Sequence, residues 1–312
     1  MSFKDIEGQD KALRILSGML RRDRIPSAMM FAGDTGIGKM LTAINFAKAV
    51  NCLNPVNFDC CDACSSCRKI AASAHPDISF TVPEKDEIKI DAVRRLEEIL
   101  FLKPLEAEKK IAIIDDADRM NINAANAFLK TLEEPPENSL IILVTSNPDV
   151  LPDTIRSRCI VVRFYPLSSE ALRRTVTRSA GQDVDFAAGL SMGRPGLVLS
   201  RDLIKELDWF SGLLRNMLHG ETNEVWADKE SIRTWLDMAF IFLRDSVIYK
   251  MTGNESDLLY GKESMNFSRK TDIGKVLDTY QALRKLRGLL DFNLNKSITW
   301  NYVSALMRAC GG

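Results

Sequence analysis

The 312-residue sequence lacks an excess of charge of either sign, because 42 Lys and Arg residues balance 42 Asp and Glu residues. This balance argues against a protein that coats nucleic acid with its whole surface, although it leaves room for a local basic patch. The sequence also lacks an apolar run of membrane-spanning length, and its start, MSFKDIEGQD, has the composition of neither a signal nor a transit peptide. We therefore expect a soluble protein of the cytoplasm, with no membrane partner.

Cysteine is sparse, since the chain has seven, and this excludes a disulfide-rich scaffold. Four of them nevertheless lie in one segment with two overlapping C-x-x-C steps: Cys52, Cys61, Cys64 and Cys67. Four thiolates complete a tetrahedral Zn²⁺ shell without a place for water, so the spacing predicts a structural zinc module at 52–67. Cys60 and His75 are alternative ligands for the same site, and reduced cysteines without a metal are the simpler reading.

The chain is long enough for two or three domains, each with its own core. Up to about residue 165, strand-like apolar runs alternate with helical periodicity, which is typical of an α/β domain with a parallel sheet. The remaining sequence has no strand signature after residue 202. We predict an α/β domain at 1–165, a small helical lid at 166–203 and an all-helical domain at 204–312, with a loop at 253–271.

A glycine-rich stretch stands between an apolar strand, Ala28–Ala32, and an apolar-periodic helix, Leu41–Val50. It consists of Gly33, Asp34, Thr35, Gly36, Ile37, Gly38 and Lys39. Glycines let successive N–H groups surround a phosphate, and the helix N-terminus adds partial positive charge. Lys39 would then contact the terminal phosphates as a point charge. The strand, loop and helix in this order predict a phosphate-binding loop and not merely a structural glycine turn.

The residue after the lysine departs from the usual pattern. Phosphate loops place Ser or Thr there, because its hydroxyl coordinates the Mg²⁺ of the nucleotide. This chain has Met40, whose thioether is a soft ligand that Mg²⁺ does not favour, and Thr42 falls on another face of the helix. We therefore expect a loop that can hold the phosphates of ATP or ADP, with doubtful Mg²⁺ coordination and poor hydrolysis.

Polar residues follow two further strand-like runs. Asp115 and Asp116 come directly after Lys110–Ile114, and Thr145 comes after Leu140–Val144. Asp115 could orient a Mg²⁺-bound water, and Asp116 stands where many ATPases have a glutamate that polarises the attacking water. Aspartate is shorter by about 1.5 Å, and a displacement of about 1 Å can cost a hundredfold in rate. Thr145 could sense the terminal phosphate, although solvated acids and a turn-forming cluster would leave the same residues.

Several segments occur together in an order that is hard to find elsewhere. They are Gly8-Gln9, GDTGIGK at 33–39, the four cysteines, IIDDADRM at 113–120, NAFLKTLEEPP at 126–136 and IRSRC at 155–159. With them the chain resembles, along nearly its whole length, the AAA+ clamp-loader subunits of bacterial DNA polymerase III. The resemblance implies an AAA+ fold with an inserted zinc module, a lid and an oligomerising collar. It also implies partners: gamma/tau-type and delta-type subunits, and through the complex the sliding clamp and primed DNA.

The resemblance also assigns a role to Arg158, which would otherwise be read as a surface charge. In the family this arginine projects into the ATP site of the neighbouring subunit. The motor subunits keep Ser or Thr, Glu and Arg where this chain has Met40, Asp116 and Gly196. These departures imply a stator with little or no ATPase activity of its own. The alternatives are an active gamma/tau-type ATPase and a zinc-bearing adaptor that does not bind nucleotide.

Overall fold

The computed structural model describes residues 1–177, 189–200, 202–220, 226–255, 258–290 and 294–311. They divide into two compact units, of which one holds the described residues of 1–184 and 191–200 and the other those of 185–190 and 201–312. The predicted lid lies partly outside the described residues, so the division into three domains stays a prediction. Within the described ranges, no helix is long and apolar enough to cross a lipid bilayer.

The first unit is built on one parallel sheet of five strands in the order β2-β3-β4-β1-β5. The strands are β1 Ala28–Ala32, β2 Ile78–Thr81, β3 Lys110–Ile114, β4 Ser139–Thr145 and β5 Ile160–Arg163. The central strands β3, β4 and β1 are buried along their whole length, which explains why their sequences are continuous apolar runs. The predicted parallel α/β sheet is confirmed.

Helices lie on both faces of this sheet and pack there through separate apolar cores. The helices of this unit are α1 Asp10–Arg21, α2 Lys39–Val50, α3 Ser65–Ala71, α4 Ile90–Leu100, α5 Ile122–Glu133, α6 Asp153–Arg156, α7 Ser169–Thr177 and α8 Pro195–Ser200. On one face Phe31 of β1 packs with Phe46 of α2. On the other face Met30 belongs to a core with Leu96 of α4 and Phe128 of α5. Neighbouring residues of β1 thus serve opposite faces, as the two-residue period of a strand requires.

The carboxyl ends of the central strands meet at one edge of the sheet. Ala32 pairs with Thr145, and Ile114 pairs with Leu143. The residues that follow β1 and β3 therefore emerge beside the end of β4. In open α/β sheets this is the edge at which ligands bind. The topology brings the glycine-rich loop, the paired acids and Thr145 to one place.

The second unit is helical in each element that the structure describes. These helices are α9 Leu203–His219, α10 Lys229–Thr252, α11 Gly261–Lys270, α12 Ile273–Leu289 and α13 Lys296–Gly311. Aromatic side chains form part of its core, since the rings of Phe210 and Trp235 lie 5.2 Å apart. The predicted loop at 253–271 is wrong over α11. That segment is polar, but it buries Met265 and Phe267 together with the small side chains of Ser264 and Ser268, and burial of these four residues docks the short helix.

Candidate functional site

The glycine-rich stretch forms the turn between β1 and α2. Gly36 and Gly38 have φ values of 81° and 97°, in the left-handed region that glycine adopts without steric cost. At Gly33 a Cβ atom would come within 2.6 Å of the carbonyl oxygen of Phe164. The turn therefore requires its glycines for backbone reasons. Its place at the N-terminus of α2 directs N–H groups and partial positive charge toward an anion.

Lys39 begins α2 and is almost buried, with 7% of its surface exposed. Its Nζ donates a hydrogen bond to the backbone carbonyl of Asp34 at 2.8 Å. Burial lowers the pKa of Lys39, while the charges of Asp115, Asp116 and Asp118 act in the opposite direction. The ammonium group of the loop and the acids that follow β3 therefore belong to one site.

Met40 and Thr42 are the residues of α2 that could coordinate a metal ion at this site. Met40 is partly buried and packs against the core on the α2 face of the sheet. Thr42 is fully buried, and its Oγ1 donates to the carbonyl of Gly38 at 2.8 Å. The position after Lys39 thus carries a thioether, and the next hydroxyl along α2 is occupied by the backbone. The residues fit a phosphate group but supply no helix hydroxyl for a nucleotide-bound Mg²⁺.

The two acids after β3 have different environments. Burial, followed by repulsion from Asp116, raises the pKa of Asp115, and the N–H of Asp116 donates to Asp115 Oδ1 at 3.0 Å. Asp116 has a φ of 45°, and its Oδ2 lies 3.5 Å from Nε of Arg119. Asp115 is therefore held at the site, whereas Asp116 turns toward an arginine at the surface.

Thr145 lies at the carboxyl end of β4, as predicted, and there it contacts Asp118, which the sequence did not single out. Its Oγ1 donates to Asp118 Oδ1 at 2.6 Å, and the N–H of Ser146 donates to the same oxygen at 3.2 Å. Asp118 thus links the turn after β3 to the end of β4. One indication in the sequence that Asp118 belongs to the site is that it is the third carboxylate of the run Asp115-Asp116-Ala117-Asp118.

Gln9 joins the segment before α1 to the phosphate loop. Its buried amide donates to the carbonyl of Tyr165 at 2.8 Å and to the carbonyl of Ile37 at 3.3 Å. Its Oε1 accepts from the N–H of Tyr165 at 3.3 Å. One side chain therefore satisfies three backbone groups from the loop and the segment after β5, which ties the N-terminal segment to the site.

Helix α8 lies directly against the loop. The N–H of Gly196 donates to the carbonyl of Gly36 at 2.8 Å. A Cβ atom at Gly196 would lie 2.9 Å from both Cα and O of Gly36, closer than side chains pack. Only glycine fits at this separation, so an arginine at position 196 would require α8 to move away from the loop.

The four predicted metal ligands come together. The Sγ atoms of Cys52, Cys61, Cys64 and Cys67 all lie within 4.8 Å of one another, and those of Cys67 and Cys52 are 3.6 Å apart. A tetrahedron with Zn–S bonds of about 2.3 Å has S–S edges of about 3.8 Å, so the arrangement can hold a metal ion. Burial opposes charge at Cys64, but the N–H groups of Cys67 and Leu53 and the neighbouring thiols lower the pKa of Cys64 to about 6. Burial raises the pKa values of Cys52 and Cys67, so a metal ion would have to displace protons from those two thiols.

Cys60 and His75 lie outside this group. The Sγ of Cys60 is 3.7 Å from Asp62, and burial raises the pKa of Cys60 to about 12. The Nδ1 of His75 accepts from the N–H of Asp77 at 3.1 Å, and its Nε2 lies 3.7 Å from Glu106. Neither side chain replaces a member of the four-cysteine set.

The cysteine module is connected to the N-terminus of the chain. The N–H of Phe3 donates to both oxygens of Asp59, at 3.2 and 3.0 Å. Asp62 forms an ion pair with the amino group of Met1 at 3.0 Å and another with the buried Lys48 of α2. Through these bonds the module holds the first residues of the chain against α2, a role that spacing alone could not indicate.

Arg158 lies after α6, near the amino end of β5, and its side chain is 33% exposed. Its Nη1 donates to the carbonyl of Thr154 at 2.7 Å, and its Nη2 donates to Glu133 Oε1 at 2.5 Å. Glu133, the last residue of α5, is itself half exposed. The predicted finger is thus at the surface of the unit, but it is paired within its own chain.

Residues 8–168 match the family described as DNA polymerase III, delta subunit. The chain is 36% identical over 312 residues to the DNA polymerase III subunit delta' of Bacillus subtilis, covering 92% of this chain and 93% of that protein. It is 34% identical over 170 residues to the subunit tau of the same organism, covering 54% of this chain and 30% of that protein. Among solved structures, a gamma subunit-related protein from Thermotoga maritima is 18% identical, with a TM-score of 0.45 and coverage of 95% and 99%.

Proposed function

The chain belongs to the delta-prime family of DNA polymerase III and is a clamp-loader subunit of DNA replication, and we propose that it works as a stator. In this role it binds nucleotide phosphates weakly, does not hydrolyse ATP itself, and supplies Arg158 to the ATP site of a neighbouring subunit. The observation that carries the proposal is an asymmetry between two sites. Its own site lacks the Mg²⁺-coordinating hydroxyl, while an exposed guanidinium remains on another face.

Three features support a weak site of its own. Met40 stands where Mg²⁺ requires a hard oxygen ligand. Asp116 is shorter than the glutamate of active ATPases and lies beside Arg119. Gly196 carries no side chain that could reach a phosphate, and α8 rests on the loop through its N–H group. Lys39, the loop N–H groups and Asp115 remain, so binding of phosphate without turnover is consistent with the site.

The finger role requires that Arg158 can leave Glu133. Ion pairs between exposed side chains contribute only about 0–1 kcal/mol. Charge that develops on a phosphoryl group in a dry interface interacts with a guanidinium much more strongly. The pair with Glu133 is therefore compatible with a finger that is released when a neighbouring subunit docks.

The direct test of the proposal is the ATPase rate of the purified chain alone. We expect turnover far below the order of one per second that working phosphoryl-transfer enzymes reach, because Met40 supplies no hard oxygen ligand to Mg²⁺. Measurement of released phosphate with and without Mg²⁺ decides this. A rate near one per second would identify an active motor of the gamma/tau type.

Replacing Met40 by threonine tests how much the missing ligand matters. We expect Met40→Thr to make ATP affinity Mg²⁺-dependent and to raise it by about tenfold, since one restored bond in a partly buried site contributes on the order of 1.4 kcal/mol. Isothermal titration with and without Mg²⁺ is the measurement, and Met40→Leu is the control of similar volume. Equal affinities for the two variants would exclude the ligand as the limiting factor.

A second candidate is an adaptor that binds no nucleotide. The hydrogen bond from Lys39 Nζ to the carbonyl of Asp34 favours it, because it occupies a donor that would otherwise serve a phosphate. Equilibrium dialysis with labelled ATP, with and without Mg²⁺, separates the two candidates. Binding without turnover supports the stator with a residual site, and the absence of binding at millimolar ATP supports the adaptor.

We further propose that the metal of the cysteine group is Zn²⁺ and that it is structural. Four sulfur ligands close the coordination shell, and no position is left for a reacting water. The described residues of 204–312 would form the collar that joins gamma/tau-type and delta-type subunits. The whole complex, and not this chain alone, would bind the sliding clamp and primed DNA in the cytoplasm.

A further inference from the structure

The surface of α1 and the turn that follows it is strongly basic. Residues 10–24 contain five cations, Lys11, Arg14, Arg21, Arg22 and Arg24, against two anions, Asp10 and Asp23. The chain as a whole has no net charge, so this segment departs clearly from its surroundings. An uneven distribution of this kind attracts a polyanion to one face of a neutral protein.

The arginines of this segment are not used to hold the fold together. Arg14, Arg22 and Arg24 are exposed, and none of their guanidinium groups has a hydrogen bond or an ion pair with another residue in the part of the chain that the structure describes. Arg21 stacks over the ring of Phe58, with its guanidinium carbon 5.6 Å from the centroid. The guanidinium groups of the first three remain available to a ligand.

Two adjoining grooves run beside these arginines. One has a volume of about 410 Å³ and is lined by Arg14, Ile15, Gly18, Met19, Arg22 and Arg24. The other, of about 450 Å³, is lined by Asp10, Leu13, Arg14, Ser17, Gly18 and Arg21. Arg14 and Gly18 belong to both. The cations therefore border a continuous trough whose floor is partly apolar.

Gly18 keeps this trough open. It lies in the interior of α1, where glycine lowers helix stability relative to alanine. No heavy atom lies within 4 Å of the position that its Cβ would occupy. Packing within the chain therefore does not require a glycine here. A missing side chain between arginines lets the backbone of a ligand approach the helix surface closely.

From these features we propose that the α1 trough binds the phosphodiester backbone of nucleic acid. Arginine matches phosphate with two parallel hydrogen bonds. Arg14, Arg22 and Arg24 supply three guanidinium groups, which is enough for about three phosphate contacts. None of the residues that line the trough belongs to the loop from Gly33 to Lys39. The proposal is independent of the finger role of Arg158.

Binding of the full-length chain to a fluorescein-labelled DNA duplex, followed by anisotropy, tests the proposal. Three phosphate contacts predict a slope of about −2.7 for log K against log salt, which is roughly a 40-fold loss of affinity between about 50 and 200 mM NaCl. The triple variant Arg14→Gln, Arg22→Gln, Arg24→Gln should remove most of this slope and lower affinity at low salt at least about tenfold. The same measurement with a single-stranded oligonucleotide shows whether the trough prefers single-stranded or double-stranded DNA.

Matched variants separate the trough from general charge. Arg94→Gln, Lys262→Gln and Arg284→Gln together remove the same charge from other exposed positions and should leave affinity within about twofold. Gly18→Leu fills the trough without changing charge and should weaken binding, whereas Gly18→Ala should have a small effect. Equal losses in both triple variants, or no binding at low salt, would overturn the proposal. Competition by poly-glutamate as strong as that by unlabelled DNA would also overturn it, in favour of an acidic protein surface.

Discussion

Replacing Arg158 by alanine is expected to slow ATP hydrolysis at the neighbouring motor subunit by roughly 10³- to 10⁵-fold in a reconstituted clamp loader. A guanidinium supplied in trans neutralises the charge that develops on the transferred phosphoryl group, and an alanine leaves that charge unbalanced. The measurement is single-turnover hydrolysis in a complex in which only the neighbouring site is competent. Other ATP sites in the complex would otherwise mask the loss.

The stability of the chain itself should hardly change in this variant. Arg158 is partly exposed, and its pair with Glu133 is of the kind that contributes about 0–1 kcal/mol. Glu133→Gln is the matched control, since it removes the partner and leaves the finger. We expect the complex with Glu133→Gln to retain its ATPase rate. The complex with Arg158→Lys should be nearly as slow as the one with Arg158→Ala, because lysine lacks the planar guanidinium that makes two parallel hydrogen bonds. Unchanged turnover in Arg158→Ala would show that the arginine is only a surface charge.

Replacing Cys64 by serine is expected to abolish metal binding and to destabilise the first unit severely. Structural zinc in small modules contributes on the order of 10 kcal/mol to folding at neutral pH, more than the whole stability of many domains. Metal analysis should return one zinc per wild-type chain and none for Cys64→Ser or Cys61→Ser. Thermal unfolding followed by circular dichroism should show a much lower midpoint.

The loss should spread beyond residues 52–67, because the module anchors other parts of the unit. Asp59 accepts from the N–H of Phe3, and Asp62 pairs with Lys48. If the module unfolds, Lys48 loses its charge partner in a buried position, which is costly. Cys60→Ser is the control, since its sulfur lies outside the metal group. A wild-type chain that is free of metal and melts at the same temperature with and without a chelator would contradict the prediction.

The features that sequence reasoning located are those with a short-range signature. The buried strands are continuous apolar runs, the loop from Gly33 to Lys39 is one contiguous motif, and the cysteines of the metal group lie within 16 residues of one another. Each of these patterns is formed by residues close together in the chain, so it can be recognised without knowledge of the fold. The prediction of a loop at 253–271 was wrong over α11 for the opposite reason. Met265 and Phe267 of α11 are buried against other parts of the chain, and the polar sequence around them does not indicate this burial.

The sequence by itself determined the parallel sheet, the glycine-rich loop between β1 and α2, and the group of four cysteines that could hold a metal ion. Only the tertiary structure decided which polar groups meet across long stretches of chain. The pairing of Arg158 with Glu133, the bond from Thr145 to Asp118 and the contact of Gly196 with Gly36 are of this kind. Their partners are brought together by packing of strands and helices, and no periodicity or spacing in the chain encodes the final distance between two such side chains.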